Sequence, residues 1–347
     1  MQGIASNWQF HPVPKRNEHG SDEYYKKQAQ ALAVLSIFAS TSAAFGPSIG
    51  GFLIGAWDWP SIFLVNLPFI ILGIVLAVIV LPKPKQASFD LKRIDGLGIA
   101  LFIVTIAGLI LFLLSLDQNI RWWALGVFII GSLLFYLQEK RRNEPFIDLA
   151  GLKKNKNATL VYAQFMSINL IYYCYFFGFP TFLQQFRGYS EEHTGLIMLA
   201  LAGFSVIVSP LAGRIIDHHG SKLPMVIGAI LLLVGTGLLL TYRETSPLIW
   251  FLVIMSVLGM SNGFNNISAQ TALYEHVKPE DTGSASGLFQ TSRYLGSILS
   301  GSLLGMTFNA HVDQAHLHLV AIICFIFCLA VVALSLLLPG KIKVWNR

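Results

Sequence analysis

Arg293 lies about ten residues into an apolar run at 284–308. At a helical rise of about 1.5 Å per residue it sits about 15 Å deep, close to the middle of a hydrocarbon core about 30 Å thick. A guanidinium there costs a few kcal/mol or more and is a functional candidate by default. It could contact a substrate or take part in coupling. It could equally lock helices together, paired with carbonyls or with a carboxylate. The other embedded polar groups are Gln164, Asn169, Asn262, Asn265, Asn266 and Gln290. Such side chains can bind substrate or hydrogen-bond between helices. Tyr172, Tyr173, Tyr175, Phe176, Phe177 and Phe179 crowd one run. Aromatic walls with few polar groups suit an apolar ligand cavity, and aromatic side chains also pack at the membrane interface.

Other chemistry is hard to build from these residues. The sequence holds no Gly-rich phosphate loop, no HExxH and no CxxC, so no catalytic residue is assigned and no cofactor is expected. His311, Asp313, His316 and His318 share one connection, but their spacing fits no standard metal site and reads as a solvated loop. Cys174, Cys324 and Cys328 all fall in apolar runs and read as packing residues, because a bond within one helix is geometrically poor.

The elements that must position Arg293 follow from composition. The 347 residues are 54% hydrophobic and only 12% charged, against about 25% charged in a soluble domain. The charges cluster between ten apolar runs: 31–55, 61–81, 96–116, 122–138, 158–180, 194–212, 223–242, 247–270, 284–308 and 317–339. Each is long enough to cross a bilayer as a helix, and open strands would leave backbone groups unpaired in lipid. The expected fold is therefore an all-α integral membrane protein. With both termini cytoplasmic, the inner segments hold 4, 4, 6, 2, 1 and 3 Lys and Arg, against Arg121, Arg187 and Arg243 outside. That bias fixes the expected orientation. It also explains the net charge of +6 without nucleic-acid binding.

One run contains poor helix formers. Ser42, Gly46 and Gly50 are four apart, with Pro47 and Gly51 beside them. Small residues let helix backbones approach closely, and Pro47 removes a hydrogen bond and bends the helix. The face suits tight packing against another helix.

The same residues carry a family resemblance. Ser42-x-x-x-Gly46-Pro47-x-x-Gly50-Gly51 resembles the antiporter motif in the fifth helix of major facilitator drug exporters. Trp59-Pro60-Ser61-Ile62-Phe63-Leu64-Val65-Asn66-Leu67-Pro68 is similar to the stretch that opens helix six in the fourteen-span drug:proton antiporters (EmrB/QacA type), with Pro60 in place of the usual Arg. Glu144-Pro145-Phe146-Ile147-Asp148-Leu149 resembles their linker into the second half. Phe182-Leu183-Gln184-Gln185 with Gly188-Tyr189-Ser190, Ser209-Pro210-Leu211-Ala212-Gly213-Arg214-Ile215-Ile216-Asp217, and Ala285-Ser286-Gly287-Leu288-Phe289-Gln290-Thr291-Ser292-Arg293-Tyr294-Leu295-Gly296 resemble three later motifs in the expected order.

The resemblance implies a major facilitator-type bundle that lacks the first four helices, with about ten transmembrane helices. Residues 1–30 would be a cytoplasmic segment, 31–81 two helices of the N-terminal bundle, and 82–157 two linker helices with basic loops. Residues 158–339 would form the six-helix C-terminal bundle and 340–347 a cytoplasmic tail. Met1-Gln2-Gly3-Ile4-Ala5-Ser6 is similar to part of the family's fourth helix. Gly213, Arg214, Asp217, Gly220 and Lys222 would form a gate-type loop in which the acid pairs with basic groups on the facing bundle. His218 and Ser221 depart from that pattern. Arg293, Asn66, Tyr172, Tyr173, Phe176 and Gln290 are the substrate or coupling candidates. The implied function is efflux of a hydrophobic or cationic drug across the cell membrane in exchange for protons. Proton exchange needs a carboxylate that can be buried neutral. None lies mid-run here, since Asp58, Asp95 and Glu275 sit at the ends. The alternative is a non-transporting remnant, or half of a split transporter that works with a separate N-terminal fragment.

Overall fold

The computed structural model describes residues 49–80, 95–116, 119–142, 147, 152, 154–277, 282–308 and 311–339. The apolar runs form helices, as they must where lipid offers the backbone no hydrogen bonds. α1 covers 49–57. The others are α2 (Ser61–Leu64), α3 (Asn66–Val80), α4 (Gly96–Ser115), α5 (Trp122–Arg141), α6 (Lys156–Gln185), α7 (Glu191–His219), α8 (Lys222–Leu239), α9 (Leu248–His276), α10 (Thr282–Phe308) and α11 (Gln314–Leu337). Among the described residues, 8 helices are long and apolar enough to cross a membrane, with α2 and α3 counted as one span. α10 is long enough at 27 residues, but its six Ser, five Gly and Arg293 make it less apolar. The run at 31–55 lies mostly outside the described residues.

Helix ends are set by local chemistry. The side chains of Asp95, Asn155, Ser190 and Asp313 accept from backbone N–H groups at the starts of α4, α6, α7 and α11, as capping residues do. Gly220 ends α7 at φ 78°, a left-handed conformation that glycine reaches without penalty.

α6 to α11 pack as one bundle, with α9 against α7, α8 and α6, and α10 against α6. Two glycines govern the α7–α9 contact. A Cβ on Gly259 would lie 2.1 Å from the Leu201 carbonyl oxygen, and one on Gly263 would lie 2.5 Å from that of Ser205. Only glycine fits, and the two helices meet backbone to backbone. The core toward the C-terminal end of α6 is aromatic. Phe179, Phe182, Tyr242 and Phe251 are buried together, with Phe179 and Phe251 edge to face at 5.0 Å. Lipid is as apolar as these side chains, so the cluster stabilises through packing and ring geometry, about 0.5–1.5 kcal/mol per pair.

α4 and α5 form a separate hairpin that docks through α4 onto α10. Asp95 closes one end of it: Gln138 Nε2 donates to Asp95 at 3.2 Å, and the Arg142 guanidinium lies 3.7 Å away. Buried Glu139 accepts the Ile147 backbone N–H at 3.0 Å, which ties the linker motif to the hairpin. α3 differs from all of these. Apart from α2, no described helix packs along it, and none of its span is buried.

Candidate functional site

Close packing of α10 on α6 places Arg293. A Cβ on Gly296 would sit 2.5 Å from the Met166 carbonyl oxygen and 2.8 Å from the Leu170 nitrogen. Glycine therefore brings the backbones together, and Arg293, one turn earlier on α10, reaches the surface of α6. Its guanidinium carbon stands 5.3 Å from the Phe165 ring centroid. Phe165 in turn stacks on Phe289 at 3.7 Å and 10°. A cation over such a ring gains about 0.5–2 kcal/mol. Arg293 also donates from Nη2 to Asn266 Oδ1 on α9 at 2.9 Å. Its buried Nε has no hydrogen-bond partner. Among the described residues no carboxylate pairs with it.

α9 holds Asn266 in place through a polar spine. Asn262, one turn earlier, donates to Ser205 on α7 at 3.0 Å. Asn265 donates to Ser261 at 3.1 Å, and Ser261 to the Gly228 carbonyl on α8 at 2.8 Å. Three asparagines thus face three neighbouring helices: Asn262 toward α7, Asn265 toward α8 and Asn266 toward α10. Two other embedded polar groups serve packing. Gln164 donates to Ser335 on α11 at 2.6 Å, and Asn169 donates to the Phe165 carbonyl at 2.7 Å.

The aromatic run on α6 divides by face. Tyr175 and Phe179 are buried, and Tyr175 donates to Thr236 at 3.1 Å. Cys174, Cys324 and Cys328 are buried with them. Tyr172, Tyr173 and Phe176 are half-buried and Phe177 is exposed. Tyr172 stacks on Phe176 at 5.7 Å, and Arg293 is near enough to interact electrostatically with both Tyr172 and Tyr173. Arg293, Tyr172, Tyr173 and Phe176 therefore come together, and Phe165, Phe289 and Asn266 complete the group. Gln290 is exposed three residues before Arg293. Asn66 does not join them: it is exposed on α3 and donates to the Ile62 carbonyl on α2 at 2.8 Å.

The loop between α7 and α8 is anchored by residues other than its acid. Lys222 Nζ donates to the Leu336 carbonyl near the C-terminus of α11 at 3.1 Å, where a cation is favoured. Ser221 donates to the Glu275 carboxylate at the end of α9. Arg214 and Asp217 are exposed, and Gly213 has open space around it. Among the described residues no basic group pairs with Asp217.

Of the small-residue face, Ser42, Gly46 and Pro47 lie outside the described residues. Gly51 makes a close approach: a Cβ there would lie 2.7 Å from the Glu191 carbonyl oxygen and 3.5 Å from the Gly195 Cα on α7. Gly50 has nothing within 4 Å. At the same end of α7 as Glu191, Asp313 and His316 interact at 2.8 Å, and His318 contacts the Tyr242 carbonyl at 2.8 Å.

Phe165, Gly259, Gly263 and Glu139 are four residues that the sequence alone did not single out. Phe165 is one of 25 phenylalanines. Gly259 and Gly263 were legible as a four-residue repeat of small residues in an apolar helix. Glu139 was hidden beside Lys140, Arg141 and Arg142 at the end of a run.

A model of the Major Facilitator Superfamily matches residues 23–301. The uncharacterized MFS-type transporter YwoD of Bacillus subtilis (strain 168) is 41% identical over 308 residues, covering 87% of this chain and 68% of the relative. The multidrug resistance protein Stp of Mycobacterium tuberculosis (strain CDC 1551 / Oshkosh) is 29% identical, over 84% of this chain and 56% of Stp. The riboflavin transporter RibZ of Clostridioides difficile (strain 630) is 28% identical, over 81% of this chain and 61% of RibZ. The chain thus spans between 56% and 68% of the length of these three relatives.

Proposed function

The chain belongs to the major facilitator superfamily, and from that premise we propose that it exports a small, hydrophobic, aromatic compound by alternating access. The observation that carries this reading is Arg293. It is a guanidinium in the middle third of a membrane helix, beside two half-buried tyrosines and bonded to a second helix. A charge held at that depth marks a substrate or ion path. The name of Stp, a multidrug resistance protein, supports efflux, while that of RibZ widens the range of possible cargo.

Alternating access needs one rigid unit to rock against another. The Gly259–Gly263 contact stiffens α7 with α9, and Gly296 stiffens α10 with α6. The Gly51 approach to Glu191 and Gly195 fits a packing hinge between α1 and this bundle. Gly213, Arg214, Asp217, Gly220 and Lys222 remain the proposed gate-type loop, with Lys222 and Ser221 as its anchors.

Drug exchange for protons is the finer form of the proposal, with the fourteen-span group as the model. It requires a titrating carboxylate within the membrane. Among the described residues every Asp and Glu lies at a helix end or in a connection. α3, with no described helix packed along it beyond α2, favours a second reading. In that reading the chain works together with a separately supplied N-terminal segment.

The test is uptake of a fluorescent aromatic drug into inverted membrane vesicles from cells expressing this chain. Energy-dependent uptake that a protonophore abolishes supports proton-coupled export. Uptake insensitive to the protonophore removes the coupling. Uptake only when an N-terminal four-helix segment of a longer relative is co-expressed supports the second reading.

A further inference from the structure

We propose that the Arg293 site selects an anionic, planar aromatic ligand, such as an aryl carboxylate or sulfonate, over a cation of the same shape. The proposal rests on the transport reading and adds the charge of the cargo. Among the described residues, Arg293 is the one formal charge in the middle third of a helix. No acid answers it, and one of its buried donors, Nε, has no partner. A guanidinium in low dielectric favours a carboxylate or sulfonate that accepts two parallel N–H donors. Asn266 takes only Nη2.

The surroundings supply the second half of the selection. Phe165 and Phe289 form a flat double ring under the guanidinium. Tyr172 and Phe176 form a second stacked pair on the adjacent turns of α6. A planar aromatic body would lie against the half-buried Tyr172 and Phe176 with its anionic group toward Arg293, while the buried Phe165 and Phe289 back the guanidinium. A cation placed there meets like charge, with no described carboxylate to offset it. This favours anions over the cationic compounds that the family resemblance implies.

The test uses the full chain in lipid nanodiscs and three probes of one shape: 1-naphthoate, 1-naphthylmethanol and 1-naphthylmethylammonium. Radiolabelled 1-naphthoate is expected to bind, and to be displaced at least tenfold less effectively by the neutral and cationic analogues than by itself. Arg293→Gln is expected to abolish that preference, and Arg293→Lys to retain an anion preference of smaller size. Tyr172→Leu is expected to weaken 1-naphthoate and 1-naphthylmethanol alike, a readout that survives if the Arg293 variants do not fold. Equal affinity for the three probes in the unsubstituted chain overturns the inference, as does failure of 1-naphthoate to bind. Uptake of a neutral or cationic drug by inverted vesicles in either case would leave the transport reading standing. Absence of any uptake would count against that reading itself.

Discussion

Arg293 on α10 and Asn266 on α9 are joined by a hydrogen bond of 2.9 Å, and this bond bridges two helices that otherwise barely pack. Each helix is held tightly by a different partner: α10 lies on α6 through Gly296, and α9 on α7 through Gly259 and Gly263. The bond therefore links two stiff helix pairs at mid-depth.

Removing the acceptor should loosen that link. Asn266→Ala is expected to cost about 1 kcal/mol, the scale of an interhelical hydrogen bond in a membrane, and to lower the melting temperature in detergent. Asn266→Asp, which places a carboxylate beside the guanidinium, is expected to raise the melting temperature above that of Asn266→Ala and to weaken transport. A melting temperature unchanged by both substitutions would contradict the bridging role.

The glycine contacts make a second, sharper contrast. Gly259→Ala would push a methyl group against the Leu201 backbone at 2.1 Å, where no flexible side chain can yield. The expected cost is about 3 kcal/mol or more, the upper end for overpacking, seen as loss of folded protein on size-exclusion chromatography. Gly203→Ala on the neighbouring helix meets nothing within 4 Å and is expected to behave as the unsubstituted protein.

The proposed hinge predicts a functional effect with little loss of stability. Gly51→Ala collides with the Glu191 carbonyl at 2.7 Å, whereas Gly50→Ala enters open space. Gly51→Ala is expected to slow transport severalfold while the bundle of α6 to α11 keeps its melting temperature. Gly50→Ala should leave the rate unchanged. Equal rates for the two would remove Gly51 from the hinge.

Asp313 gives a pH dependence outside the spans. Its carboxyl is held below the ordinary carboxylate range, chiefly by the backbone N–H of His316, with the His316 ring adding to this. A depressed folded value means the contribution is fully present above the unfolded value of about 3.9. It is lost as pH falls through the folded value. Asp313→Ala is expected to cost about 1 kcal/mol at pH 7, as loss of an N-cap does. The gap between the two proteins should close below about pH 4. Thermal unfolding from pH 3 to 7 checks this.

The helices were legible because a bilayer imposes a length that composition alone reveals. Their ends were less so. The apolar run at 247–270 is part of a helix that continues to His276, because helical hydrogen bonding does not stop where hydrophobicity does. Arg293 stood out as a charge in an apolar run, whereas its partners did not. Tyr175 and Tyr172 are three residues apart in one aromatic cluster, yet one is buried and the other only half-buried. Which face of α6 meets α8 and α11 depends on the whole bundle. The expectation that Asp217 carries the gate rested on family pattern. Its neighbours Ser221 and Lys222 make the described contacts, since both sit where the ends of α9 and α11 present an acceptor.

The central claim is that this chain moves an aromatic compound past Arg293. Accumulation of a fluorescent aromatic anion in an efflux-deficient host, with and without the chain, tests it most directly. The account predicts that expression lowers accumulation and that Arg293→Ala restores it to the empty-host level at equal membrane abundance. Accumulation lowered equally by the unsubstituted and Arg293→Ala chains would contradict it.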